Sequence, residues 1–311
     1  MNIHGIAINA DASVIDGSLE VLRRELDHYY ELGFTHVELA PHGVGAIYCG
    51  RLDENRVREV KAVLAKYPFR YAVHGPNPLN LMSGDDLDRC GFIASIEFTA
   101  AIGAEIMVYH AGRYITEENF LLVPPPSPNQ AEREALWQQE CTCLHEMGQI
   151  AAKYGVTVAV ENARPYLNVP NYCYGEILVE LARMIKEVNH SNVGITLDVG
   201  HAYLASCQYG YDLMQGITLI APYVRHIHLH DNFGRCCASW ERKQYEMAAM
   251  GRGDMHMPID WGDVPATEML VRLPHYHGII TLEIRPRYRE HYREALANAQ
   301  ALVKIGERFA S

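Results

Sequence analysis

Val224-Arg225-His226-Ile227-His228-Leu229-His230-Asp231-Asn232 sets three imidazoles at alternate positions inside an otherwise apolar run. Side chains of a β-strand alternate between faces, so as a strand this segment sends His226, His228 and His230 one way and Ile227 and Leu229 the other. A strand covered by helices is apolar where it meets them, and the histidine side therefore faces another interior. The centre of a closed barrel supplies one.

The chain around this segment repeats one beat. Strand-like runs at Ile3–Asn9, His36–Ala40, Phe69–His74, Ile106–His110, Val156–Glu161 and Gly194–Asp198 precede Val224–His230, and Gly278–Ile284 follows it. Helical stretches are expected near 18–32, after a cap at Asp53, and near 85–101, 131–154, 175–188, 211–221 and 290–309. Strands alternating with helices generate a parallel sheet, and eight of them without a linker predict a single α/β domain over 1–311, a (β/α)8 TIM barrel. Two connections are long, and both follow strands. Arg113–Gln130, stiffened by Pro124-Pro125-Pro126-Ser127-Pro128, is expected to cover the mouth, and Asn232–Asp263 carries Gly251-Arg252-Gly253-Asp254-Met255-His256.

Composition narrows the partners. A formal net charge of −11 argues against nucleic acid and anionic membrane and leaves small molecules. No basic segment and apolar core follow Met1, and no apolar run approaches the roughly 20 residues of a membrane span, so a cytoplasmic protein is expected. The eight cysteines show no paired CxxC spacing and read as reduced thiols.

His74, His110, Glu161, Asp198, His228 and Glu283 each stand at or near the C-terminal end of a different strand, where barrel side chains converge. Two residues before each lie Ala72, Val108, Ala159, Thr196, His226 and Thr281, a mostly small set suited to lining the barrel. The intervening Val73, Tyr109, Val160, Leu197, Ile227 and Leu282 are bulkier and suited to packing under helices. Three carboxylates converging with imidazoles in a buried place are compensated most simply by a cation. Histidine with Asp and Glu, without cysteine, suits Zn, Mn, Co or Fe better than Ca.

Ala72-Val73-His74-Gly75, Tyr109-His110-Ala111-Gly112, Val160-Glu161-Asn162, Thr196-Leu197-Asp198-Val199-Gly200-His201, His228-Leu229-His230-Asp231 and Leu282-Glu283 follow one another through most of the chain. In this order they resemble the xylose isomerase-like TIM barrels, a superfamily that includes sugar phosphate isomerases and epimerases and endonuclease IV. The resemblance implies a divalent metal held by Glu161, Asp198, His228 and Glu283, with Glu161 and Glu283 also moving protons around a metal-stabilised enediolate. It also implies the endonuclease IV ligands His74, His110 and His201. Asp254-Met255-His256 overlaps and follows a Gly-x-Gly that the branch's Asp-x-His pair precedes. With those residues included, the resemblance implies one to three ions, and it implies frequent homo-oligomers.

Several readings stay open at this stage. His74 and His110 divide between metal ligation and substrate binding, and Arg252 and Arg285 between holding a phosphate or carboxylate and ordinary salt bridges. His226 is expected deeper in the barrel as a hydrogen-bonded residue, and His230 with Asp231 at the rim. The leading expectation for function is an isomerase or epimerase of a sugar or sugar phosphate, with Glu161, Glu283 and His201 as catalytic residues. The runner-up is a two- or three-metal hydrolase of a small phosphoester. Lyase or dehydratase chemistry and a noncatalytic sugar-binding barrel come after these.

Overall fold

The computed structural model describes residues 1–241 and 246–309, so part of the second long loop, residues 242–245, lies outside the described residues. The barrel strands are β1 (Asn2–Asn9), β2 (His36–Leu39), β3 (Arg70–His74), β4 (Ile106–His110), β5 (Thr157–Glu161), β6 (Val193–Asp198), β7 (Val224–Leu229) and β8 (His277–Leu282). All pair in parallel, and β1 closes the ring by bonding both β2 and β8. The eight strands fall where the sequence puts them, with ends that differ by one or two residues. The fold is the expected single-domain TIM barrel.

Local chemistry starts and stops the helices. Ser18 caps Leu19–Leu32 and Gly33, at φ 92°, ends it; Asp53 caps Glu54–Leu64; Asn129 and Glu132 form a reciprocal capping box at the start of Gln130–Tyr154. Among the described residues four α-helices were not anticipated, Val199–Tyr209, Ala266–Val271 and the single turns Ala12–Ile15 and Glu246–Ala249. The first is buried at Val199, Gly200, His201, Ala202, Leu204 and Ala205, so it shows no one-sided apolar stripe to betray it.

Register sets the chemistry level. Val108 pairs with Ala159, Thr196 with His226 and Asp198 with His228 across neighbouring strands. Ala72, Val108, Ala159, Thr196, His226 and Thr281 are fully buried, whereas the intervening Val73, Tyr109, Val160, Leu197, Ile227 and Leu282 join the apolar core. Small inward residues leave the barrel room for a polar layer. There His226 Nε2 lies 2.9 Å from Glu38 Oε2 and 3.1 Å from Thr281 Oγ1.

The proline loop leaves the main cavity uncovered, although its Arg113 and Glu117 wall a smaller cavity with His110, Glu161 and His201. Its Tyr114 amide bonds the Tyr172 carbonyl at 2.7 Å, and Phe120 is buried against Tyr166 and Tyr172, so it docks on the segment after β5. The main cavity, about 480 Å³, draws no wall from residues 113–130. Residues of the loop after β7 and of the turn after β8 enclose it instead. All eight cysteines are free thiols.

A buried carboxyl fastens the turn that follows His110. Glu140 Oε1 accepts from Gly112 N at 3.2 Å and from Tyr174 Oη at 3.0 Å. Burial pushes this carboxyl up to about 7, against the opposing hydrogen bonds. The neutral form is favoured by folding, so its contribution is complete below the unfolded value near 4.5 and is lost as pH rises through 7. Chemical denaturation of Glu140→Gln should give a flatter stability profile than wild type, by about 3 kcal/mol between pH 4 and pH 9. Identical profiles would show that the carboxyl is not held neutral.

Candidate metal centre

Four histidines at the mouth turn a ring nitrogen to the cluster's carboxylates while the other nitrogen is tied to an oxygen acceptor; His201 Nδ1 also comes within 3.4 Å of Glu161. His74 Nδ1 lies 2.8 Å from the Gly75 carbonyl, His201 Nδ1 3.1 Å from the Asn162 carbonyl, and His256 Nδ1 2.8 Å from the Glu283 carbonyl. His228 Nε2 lies 3.2 Å from the Glu38 carboxylate. A carbonyl or carboxylate oxygen only accepts, so the bonded nitrogen carries the proton. The opposite nitrogen of each ring faces carboxylates and presents its lone pair there once it gives up its proton, the arrangement that orients metal-binding imidazoles.

Those inward nitrogens meet carboxylates. His228 Nδ1 lies 3.3 Å from Glu161 Oε1, 3.4 Å from Glu283 Oε2 and 4.0 Å from Asp198 Oδ2. His74 Nε2 and His110 Nε2 approach the other oxygen of Glu161, at 3.4 and 3.1 Å. Farther along the mouth, Asp254 Oδ2 lies 3.2 Å from His201 Nε2 and 2.8 Å from His256 Nε2. The described residues thus offer five overlapping donor groups: His74–His110–Glu161, Glu161–Asp198–His228–Glu283 and His201–His230–Asp254–His256 form a row along the mouth, and His74–His228–Glu283 and Glu38–His226–His228 share members with it.

Backbone geometry accounts for the assembly. Asp198 ends β6 and caps the helix Val199–Tyr209, its carboxylate accepting from His201 N at 2.7 Å. The Asn162 carboxamide grips Asp198 on both sides, donating to its carbonyl at 2.9 Å and accepting from its amide at 2.8 Å. The loop after β7 returns through a bridge between Asp231 and Met257, which carries Asp254 and His256 back to the strand ends. Gly251 and Gly253 take positive φ there, and so does His256 at 45°, a conformation uncommon outside glycine that is found at functional sites.

Electrostatics favours a bound cation. Burial alone raises the Glu161 carboxyl, yet His110 and His228 outweigh it and hold it well below the usual range. His228 and His201 are correspondingly held well above the ordinary imidazole range, and His74 is pushed up to about 9, because burial, which lowers all three, is outweighed by the facing carboxylates. Glu161 Oε2, Glu283 Oε2 and Asp254 Oδ1 are buried without a hydrogen-bond partner. Protons on the histidines are a weak substitute for divalent charge at such oxygens, and the donor set fits a borderline transition metal.

Three residues escaped the sequence reading. Glu38 stands between apolar Val37 and Leu39 in β2, in phase with the other inward residues, and that phase was the available signal. His230 is not at the rim: it is fully buried, its Nε2 is 3.0 Å from Asp198, and its ring stacks on His256 at 4.0 Å. Arg164 reaches Asp254 at 3.4 Å from the segment after β5, a placement that only the fold reveals. Among the residues expected from sequence, Arg252 and Arg285 line the cavity but contact none of the donor side chains: Arg252 pairs with Glu241 at 3.3 Å, and Arg285 Nη2 donates to the Asp254 carbonyl at 3.0 Å.

Gly200 leaves the space that His230 occupies, since a Cβ there would stand 2.1 Å from the His230 ring. Gly200→Ala should therefore weaken the stabilisation that added Zn or Mn gives in thermal melts, and leave the melting point in chelator within a few degrees of wild type. Full metal stabilisation in this variant would remove His230 from the centre.

The comparisons with known proteins agree with this architecture. An uncharacterized protein of Methanocaldococcus jannaschii is 24% identical over 262 residues, spanning 81% of this chain and 75% of the relative. A D-tagatose 3-epimerase-like protein superposes with a TM-score of 0.66 at 20% identity, covering 96% of this chain and 99% of the other. The 3-keto-D-glucoside 4-epimerase of E. coli gives 0.66 at 18%, and a D-psicose 3-epimerase 0.65 at 13%, both with the same coverages of 96% and 99%. Likeness at these identities establishes the fold. The model of the xylose isomerase-like TIM barrel matches residues 26–304, and the chain belongs to that family.

Proposed function

We propose that this protein is a divalent-metal-dependent isomerase or epimerase acting on a sugar or sugar phosphate. The observation that carries the reading is the pair Glu161 and Glu283, brought from two strand ends to 3.3 and 3.4 Å of the same His228 nitrogen, with Glu283 lining the main cavity and Glu161 a smaller one beside it. The epimerases among its structural neighbours support it at the level of fold.

Glu161, Asp198, His228 and Glu283 are the residues that would hold the ion. When bound there, a divalent ion supplies positive charge beside substrate oxygens as negative charge develops on them. The chain's own residues do the rest. Glu38 fixes the His228 tautomer, and Asn162 and the cap on His201 N hold the Asp198 carboxylate in place. Glu161 and Glu283, on opposite sides of a substrate carbon, take a proton and return one, the general acid–base work that sets the configuration of the product. His74 and His110 border Glu161 and are placed to hold substrate hydroxyls or to share in ligation.

A second reading, hydrolysis of a small phosphoester by two or three ions, is favoured by one observation: Asp254, His201, His230 and His256 form a donor group of their own beside the first. Incubation with a ketose panel in heavy water separates the two. The isomerase reading predicts solvent deuterium at one sugar carbon, loss of at least about 10³-fold in Glu283→Gln, and retention of exchange in Asp254→Asn. No exchange over the panel, together with turnover of a chromogenic phosphoester that Asp254→Asn abolishes, would overturn it in favour of hydrolysis.

A further inference from the structure

Above the carboxylate-rich floor, the cavity is lined by arginines from separate segments. Arg164 follows β5, Arg252 sits in the loop after β7, and Arg285 and Arg287 follow β8. This concentration stands out in a chain whose formal net charge is −11. All four line the same 480 Å³ space as His110, His201, Asp254, His256 and Glu283.

Their existing contacts orient them without using up their donors. A guanidinium has five N–H groups in a planar fork. Arg164 donates Nε to Tyr166 Oη at 2.8 Å and sets Nη1 3.4 Å from Asp254. Arg285 gives Nη2 to the Asp254 carbonyl at 3.0 Å, Arg252 gives Nη2 to Glu241 at 3.3 Å, and Arg287 lies over the Tyr288 ring at 5.3 Å. The anchors of Arg285 and the Nε of Arg164 are a backbone carbonyl and a tyrosine hydroxyl, which neutralise no charge. Arg164 shares its one carboxylate, Asp254, with two histidines. Once a cation takes up the charge of that carboxylate, and with Arg252 paired to Glu241, Arg164 and Arg285 leave fixed positive charge in the wall of a partly enclosed space, where such charge is screened less than at an open surface.

We infer that this wall is an anion-binding subsite, and that the substrate carries a phosphate or carboxylate group that Arg164, Arg252 and Arg285 hold while its reacting carbon lies over Glu161 and Glu283. Planar forks suit either oxyanion, by paired N–H···O bonds. The inference rests on the cavity being the active site proposed above, and it narrows that proposal from any sugar to an anionic one.

Calorimetric titration of the full-length, metal-loaded protein with inorganic phosphate and, separately, with acetate tests the subsite without turnover. Binding is expected for at least one probe, and the one that binds names the oxyanion. Affinity should fall about tenfold in Arg285→Ala and in Arg252→Ala, with metal content unchanged, and Arg164→Lys should retain part of what Arg164→Ala loses. Equal affinity in wild type and the arginine variants would place the anion on the metal alone and overturn the inference. So would a neutral ketose that exchanges solvent deuterium at the same rate in wild type and Arg285→Ala, and that result would leave the isomerase reading standing.

Discussion

The constraint on which the rest depends is the fixing of histidine tautomers by oxygen acceptors that cannot donate. Three backbone carbonyls and the Glu38 carboxylate each hold one ring nitrogen of His74, His201, His256 and His228. The remaining nitrogens turn to carboxylates, those of His74 and His228 to Glu161 and those of His201 and His256 to Asp254. A barrel that merely buried histidines in its core would have no reason to spend strand ends and loop carbonyls in this way. Preorganisation of this kind lowers the cost of gathering ligands around an ion, because the rings are already turned when it arrives.

Barrel architecture makes that arrangement possible. Alanines and threonines inside β3, β5, β6 and β8 leave room for Glu38, His226 and Thr281 to form a polar layer beneath the site. Glu38 is thereby pinned by two imidazoles, and burial, which by itself would raise its carboxyl, is outweighed by His228 and His226, which hold it well below the usual range. The nitrogen bonded to Glu38 below and the nitrogen facing Glu161 and Glu283 above belong to one ring, His228, which couples the barrel core to the strand-end carboxylates. The bridge from Asp231 to Met257 then adds Asp254 and His256 from a distant loop, which extends one donor group into a row of three.

Much of this was legible in the sequence, for a simple physical reason: a strand's period of two converts a list of residues into two faces, and the same phase ran through six strand ends. The six strand-end residues His74, His110, Glu161, Asp198, His228 and Glu283 and the small residues beneath them were readable in that way, whereas the Glu-Asp-His-Glu set among them came from the family resemblance. Glu38 was hidden because its strand is short, Val37 and Leu39 dominate it, and no histidine marks it. His230 looked peripheral because it follows the last residue of β7, yet the helix beginning at Val199 and the missing side chain of Gly200 draw it inward. Arg164 lacked any local pattern, since its partner Asp254 is brought to it only by the returning loop. The proline segment covers only the smaller cavity beside Glu161, because rigidity says nothing about which neighbouring surface a loop packs on.

The central claim is that these strand ends hold a divalent metal. Elemental analysis of the purified full-length protein, as isolated and after reconstitution with Zn or Mn, tests it most directly beside the Asp198→Asn variant. The account predicts at least about one tightly held ion per chain in the wild type and its loss in the variant. A wild-type chain that binds no divalent ion after reconstitution, or a variant that retains the full complement, would contradict it.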